Sequence, residues 1–320
     1  MTTLGQLVRA TSDPWLIGVG YGIGNMLHAG PMIRAIVRQT GHPVDLVVAG
    51  DNAGCRFLLQ HPDYVGTVYS LSTEILTRRY ATVFLSHFFL PFKVPFAAPR
   101  VLWSRDWDLF QPGVSDHETR FNLRAASALL GTPWETRDLT QHYVADIVYE
   151  RPACNLVGFH AGSKTGHWTA KRWPGFARLA EALRVRGYRV ASFGLPDEYV
   201  PGTENRTGGT VEEMVRAITA CSYFVANDSG VMNLANALGI PLLALFGPTD
   251  VATRRPLAPT SMTLAVGTYC APCEVTDAAR FRSGKCRCLA QLSSERVLAA
   301  FDTLARKWPA PAARPLVAAQ

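Results

Sequence analysis

Short apolar, β-rich runs alternate with helical patterns along most of this chain, and the alternation starts afresh near mid-sequence. In the first half, 15–19, 44–49 and 81–84 read as strands, and 25–39 and 118–130 read as helices. In the second half, strands are expected at 155–159, 188–193, 223–226 and 242–246. Helices are expected at 174–186, 211–220, 230–238 and 294–307. Strands that alternate with helices predict parallel sheets covered by helices. Two doubly wound, Rossmann-like α/β domains of similar size follow, 1–150 and 151–320. In open parallel sheets ligands bind just past the carboxyl ends of the strands. Two such domains are expected to face each other across a cleft, with the informative motifs at strand exits.

Charge separates the halves. Residues 1–150 hold 12 Lys/Arg against 13 Asp/Glu, and residues 151–320 hold 20 against 12. The second half should therefore attract an anionic ligand. No Lys/Arg-rich helix, stacking motif or helix-turn-helix signature points to nucleic acid. No run reaches the roughly 18 unbroken apolar residues of a spanning helix. Residues 83–103 come nearest, but His87, Lys93, Arg100 and three prolines interrupt them, so a buried strand and an irregular loop are expected. The start of the chain lacks the pattern of a secretory signal, which predicts a cytoplasmic protein. Of the seven cysteines, Cys55, Cys154 and Cys221 are scattered among apolar residues and read as buried thiols.

Four strand exits carry chemistry. Gly18-Val-Gly-Tyr-Gly-Ile-Gly24 precedes a helix and allows backbone N–H groups to approach a ligand. It resembles a dinucleotide fingerprint, but Asp51 comes late for a ribose partner, and a purely structural turn is the plain alternative. Asn25 and His28 lie in the helical turn that follows. The second exit, 159–174, is a strand, a polar loop and a helix opened by Pro174. Ser163 can donate to a phosphate there, and Lys164, Lys171 and Arg172 add positive charge. The third is Phe193-Gly-Leu-Pro-Asp-Glu198, where Glu198 could accept from ribose hydroxyls or be a solvated loop charge. The fourth runs from Val225 through Asn227-Asp228-Ser229-Gly230 to Phe246-Gly-Pro-Thr249. Its Ser229 and Gly230 N–H groups open a helix and suit a phosphate, although Asp228 could equally be a plain N-cap.

These segments resemble the glycosyltransferase family that contains the bacterial heptosyltransferases of lipopolysaccharide core assembly. The resemblance rests on Gly-Ile-Gly-Asn-Met-Leu, His117-Glu-Thr-Arg-Phe-Asn-Leu, Lys171-Arg-Trp-Pro, Asp228-Ser-Gly and Phe246-Gly-Pro-Thr, in family order. It implies a GT-B architecture and metal-independent, inverting transfer. The first domain would bind the acceptor, a glycan, glycolipid or protein. The second would bind a nucleotide sugar, ADP-heptose or a relative, through Ser163, Lys164, Lys171, Glu198, Asp228, Ser229, Gly230, Asn233 and Thr249. It implies a role in lipopolysaccharide biosynthesis and leaves room for peripheral association with the inner membrane face. A non-catalytic nucleotide-sugar binder and a GT-B nucleotide-sugar epimerase are the alternatives.

Two departures from the family pattern bear on catalysis. An Asp of the first turn, the family's expected general base, is Asn25 here, and an amide takes no proton at neutral pH. A His four residues after the Asp-Ser-Gly serine is Asn233. His28, His117 and Glu118 become the candidate bases. Separately, Cys270 and Cys273, then Cys286 and Cys288, form two close thiol pairs. They suit either a structural zinc or iron or a set of reduced thiols. No cofactor is expected to be required for transfer.

Overall fold

A computed structural model describes residues 13–50, 53–86, 89, 94–104 and 116–311. The chain divides into two compact units between Ile147 and Val148.

In the N-terminal unit, β1 (Trp15–Val19), β2 (Val44–Val48) and β4 (Thr82–Leu85) are buried along their whole length. β3 (Val65–Ser70) and β5 (Val101–Trp103) are only partly buried. All pair in parallel, in the order β3-β2-β1-β4-β5. Helix α1 (Ile23–Thr40) follows β1 through Gly22, whose φ of 94° is a conformation that favours glycine. A short α2 (Thr73–Thr77) precedes β4, and α3 (Glu118–Leu130) packs on α1. One side of the sheet closes over Leu16, Val47, Tyr80, Val83 and Phe89.

The C-terminal unit has a six-stranded parallel sheet, ordered β11-β10-β9-β6-β7-β8. Its strands are β6 (Leu156–His160), β7 (Arg189–Gly194), β8 (Glu204–Thr207), β9 (Tyr223–Asn227), β10 (Leu242–Phe246) and β11 (Ser261–Ala265). Between them run α4 (Phe176–Val185), α5 (Val211–Ile218), α6 (Gly230–Leu238) and the short α7 (Val251–Arg254). The turns α8 (Cys273–Thr276) and α9 (Ala278–Arg282) follow, and α10 (Ser294–Lys307) returns over the sheet. Phe159, Trp173, Phe176, Val225, Leu243 and Phe301 lie in one buried cluster, each contributing about 1.5–3 kcal/mol by leaving water.

The structure departs from the expected elements in two ways. Residues 166–171 form a 3-10 turn, and α4 begins at Phe176, so Pro174 does not open that helix. Four strands, β3, β5, β8 and β11, were not expected, and each is the outermost strand of its sheet.

Candidate functional site

Because the C-terminal sheet is parallel throughout, the exits of β6, β7, β9 and β10 share one edge. Asn227, the last residue of β9, ties that edge together. Its Oδ1 accepts from Trp173 N–H at 3.1 Å, and its Nδ2 donates to the Ala161 carbonyl at 2.7 Å. The bonds fix the β6 loop and the segment after the 3-10 turn against the start of α6.

Lys171, in the last turn of that 3-10 segment, points its ammonium at Asp228, with Nζ 3.1 Å from Oδ2. Both side chains are more than nine-tenths buried. Burial pulls the Lys171 ammonium below the ordinary lysine range; Asp228 opposes that shift and Arg254 adds to it. Nζ also lies 4.9 Å from the centre of the Trp168 ring. An ammonium has three donors, and among the described hydrogen bonds only the one to Asp228 is made.

Next to this pair runs a second buried chain. Ser229 caps α6, its Oγ accepting from Met232 N–H at 3.2 Å. The same Oγ is 3.0 Å from His160 Nδ1, and His160 Nε2 is 3.3 Å from Glu198 Oε2. Glu198 Oε2 also accepts from Leu195 N–H at 2.8 Å, while Oε1 lies 3.6 Å from Arg172. Burial alone would raise the Glu198 carboxyl, but His160, Leu195 N–H and Arg172 together hold it below the usual glutamate range. Two glycines make room for it. A Cβ at Gly162 or Gly194 would collide with the Glu198 carboxylate, and Gly194 also has a φ of 124°.

Lys171, Glu198, Asp228, Ser229 and Gly230 are thus linked through one hydrogen-bonded edge. Asn233 lies in the first turn of α6, 8% exposed, and its Oδ1 is buried without a hydrogen-bond partner. Thr249, after β10, also has an unpartnered buried Oγ1. Ser163 is turned into its own loop: its Oγ donates toward the Lys164 and Trp168 carbonyls and accepts from Arg172. Lys164 is exposed on the same loop. His160 and Asn227 were not singled out as functional residues from the sequence. The available signal was a polar residue closing an otherwise apolar buried strand, in β6 and again in β9.

The candidate bases lie in the N-terminal unit. Asn25 Nδ2 donates to the Tyr21 carbonyl at 3.0 Å. One helical turn on, His28 Nδ1 is 3.1 Å from Thr119 Oγ1, and its ring meets that of His117 edge-on at 5.0 Å. His117 caps α3, its Nδ1 accepting from Thr119 N–H at 3.2 Å. Both histidines are buried, whereas Glu118 is half-buried. Asp51 lies outside the described residues.

The four clustered cysteines are free thiols. Cys273 and Cys286 sit in a small apolar cluster with Ala170 and Phe281, with Cys270 and Trp168 at its edge. Burial, with Cys286 and Cys270 beside it, pushes the Cys273 thiol up to about 12. The donor set is soft enough for zinc or iron, but no group of three or more His, Cys, Asp or Glu among the described residues is arranged to hold a metal ion.

Residues 150–280 match the family described as Glycosyltransferase family 9 (heptosyltransferase). The match covers less than half of this chain. Lipooligosaccharide heptosyltransferase 2 of Haemophilus influenzae is 40% identical over 126 residues, 34% of this chain and 35% of that relative. The sequence match thus spans about a third of the relative's length. In overall fold the chain resembles the structure of the Escherichia coli ADP-heptose lipopolysaccharide heptosyltransferase II, with a TM-score of 0.69 at 21% identity. That likeness covers 92% of this chain and 99% of the other. An iron-containing dodecameric glycosyltransferase of enterotoxigenic Escherichia coli resembles it at a TM-score of 0.59 and 17% identity, over 93% of this chain and 80% of the other. The fold is that of the GT-B heptosyltransferases, built from two parallel-sheet α/β units.

Proposed function

We propose that this chain is a glycosyltransferase that takes heptose or a related sugar from an ADP-linked donor and transfers it, with inversion, to a hydroxyl of a glycan, glycolipid or protein. The donor's diphosphate is bound at the strand-exit edge of the C-terminal unit. One observation carries this reading: the buried Lys171 ammonium, held by Asp228 at the N-terminus of α6 with further donors to give. A diphosphate arriving there meets the ammonium, the Ser229 and Gly230 N–H groups and the positive end of the helix dipole. The same groups stabilise the negative charge that grows on the departing nucleotide. Glu198 Oε1 takes a ribose hydroxyl, and Asn233 Oδ1 takes a further hydroxyl of the donor.

The N-terminal unit holds the acceptor and supplies the base. Asn25 cannot serve, because an amide is not protonated at neutral pH. His117 has its Nδ1 lone pair occupied by Thr119 N–H, which leaves a proton on Nε2 in the neutral ring. Glu118, the most accessible of the three remaining candidates, is the base this reading favours. No helix among the described residues is long and apolar enough to cross a membrane. The reading places the protein on the cytoplasmic side, acting on acceptors at the inner membrane face. No step depends on the cysteine cluster.

Calorimetric titration with ADP tests the donor site. Lys171→Ala should weaken binding at least tenfold, since a charge-assisted hydrogen bond contributes about 1.5–3 kcal/mol. Equal affinity in wild type and variant would remove the site. With ADP-heptose, ADP release that depends on an acceptor supports transfer. Isomerised sugar without acceptor would instead mark an epimerase.

A further inference from the structure

We propose that binding of a nucleoside diphosphate at the α6 edge is coupled to the uptake of a proton by His160, which frees the Ser229 hydroxyl to donate to a phosphate oxygen. This inference rests on the donor-site reading above and adds a protonation step to it.

The geometry leaves few alternatives. A serine hydroxyl has one proton and two lone pairs, and a neutral imidazole has one donor and one acceptor nitrogen. Glu198 is acceptor-only when ionised, so the His160 nitrogen that faces it at 3.3 Å, Nε2, carries the proton. In the neutral ring Nδ1 is then bare. It takes the only proton of Ser229, whose Oγ lies 3.0 Å away. Ser229 Oγ accepts from Met232 N–H as the helix cap. In that state its hydroxyl has nothing to give a phosphate.

Protonating Nδ1 reverses the bond. Nδ1–H now donates to Ser229 Oγ, whose two lone pairs are filled by His160 and Met232 N–H. The hydroxyl proton is released toward the N-terminus of α6. There Lys171 has donors in hand and Asn233 Oδ1 is buried without a partner. The proton comes from solvent and no covalent bond to carbon, oxygen or phosphorus changes.

The charges around the ring set the balance. Glu198, from the turn after β7, and Asp228, from the β9–α6 junction, favour the imidazolium. Lys171 and Arg172, from the segment after β6, oppose it. Asp197 flanks Arg172 at the exposed rim. An incoming diphosphate adds negative charge and tips this set toward protonation. The opposite change, loss of the nucleotide, returns the proton. His160 is therefore a positioning residue, acting through Ser229 and Glu198.

The test is calorimetric titration of the full-length protein with ADP at pH 7.5, repeated in buffers of different ionisation enthalpy. At this pH the terminal phosphate of ADP is largely ionised, its second pKa being near 6. Wild type should take up about half a proton or more beyond the value for His160→Gln. Its affinity should fall more steeply with rising pH than that of the variant. Ser229→Ala retains His160 but lacks the hydroxyl that the protonated ring frees, so its ADP affinity should fall about tenfold at neutral pH, which covers the case in which the histidine variant misfolds. Equal proton linkage in wild type and His160→Gln, or unchanged ADP affinity in Ser229→Ala, overturns the inference while leaving the donor site standing. Failure of ADP to bind wild type at millimolar concentration overturns the donor-site reading, and this inference with it.

Discussion

The candidate sites of the two units bury different kinds of polar group. The C-terminal unit buries charges and pairs them: Lys171 with Asp228, and Glu198 with His160 and Arg172. The N-terminal unit buries Asp138 and Asp45 against the exposed Arg38 and Arg78, but its candidate bases lie among imidazole, hydroxyl and amide groups. Between α1 and α3 it packs His28, His117, Thr119 and Asn122, and His142 lies beside His28. Burial pushes His142 down to about 4 and raises the Tyr143 hydroxyl far above its usual range. A site of paired charges suits an anion, because its ammonium and helix terminus are already desolvated and aimed. A hydrogen-bonded cluster of imidazole, hydroxyl and amide groups suits hydroxyl ligands. The contrast also follows the sequence match, which begins at residue 150.

The largest effect expected from this contrast is in the C-terminal unit. Asp228→Ala leaves the Lys171 ammonium buried without its partner, which should cost about 3–5 kcal/mol of stability. Urea denaturation followed by hydrogen exchange in β9 would measure it. A loss confined to a few tenths of a kcal/mol would mean that water already reaches the pair, and the comparison would break.

The next effect sharpens the division of labour. Glu118→Gln should lower turnover about a hundredfold or more and leave ADP affinity within about twofold. If turnover holds, or if ADP binding falls with it, Glu118 is not the base.

The smallest is a pH effect in the N-terminal unit. His142 accepts a proton near pH 6.5 when unfolded and only near 4 when folded. The unfolded state therefore binds more protons between those values, and stability falls as pH drops from about 6.5 to 4. The loss should approach about 2–3 kcal/mol. His142→Asn should flatten that slope in acid denaturation curves, and an unchanged slope would place its origin elsewhere.

Much of the fold was legible because the central strands carry it. β1, β2, β4, β6, β9 and β10 are buried on both faces, so each is a short apolar run between turn signals. The sheet edges were not legible. β3, β8 and β11 alternate no better than loops do: Glu204–Thr207 has no apolar residue at all. Such segments become strands because a neighbour already in place offers unpaired N–H and C=O groups, not through their own composition.

The site divides the same way. Asp228, Ser229 and Gly230 are contiguous and follow a strand, so local spacing marks them. Lys171 stands 57 residues from Asp228, and their contact depends on Asn227 fixing both loops. The His160 link is less visible still. It joins the ends of β6 and β7 to the start of α6, and each residue alone reads as an ordinary loop or cap. Sequence by itself determined two doubly wound units, a basic second half and the order of the strand-exit motifs, since these follow from local periodicity and composition. Tertiary structure alone decided the sheet edges, the buried ion pair and the Ser229–His160–Glu198 chain. Those depend on side chains 38–69 residues apart meeting in a desolvated edge, where geometry, not spacing, determines which groups share a proton.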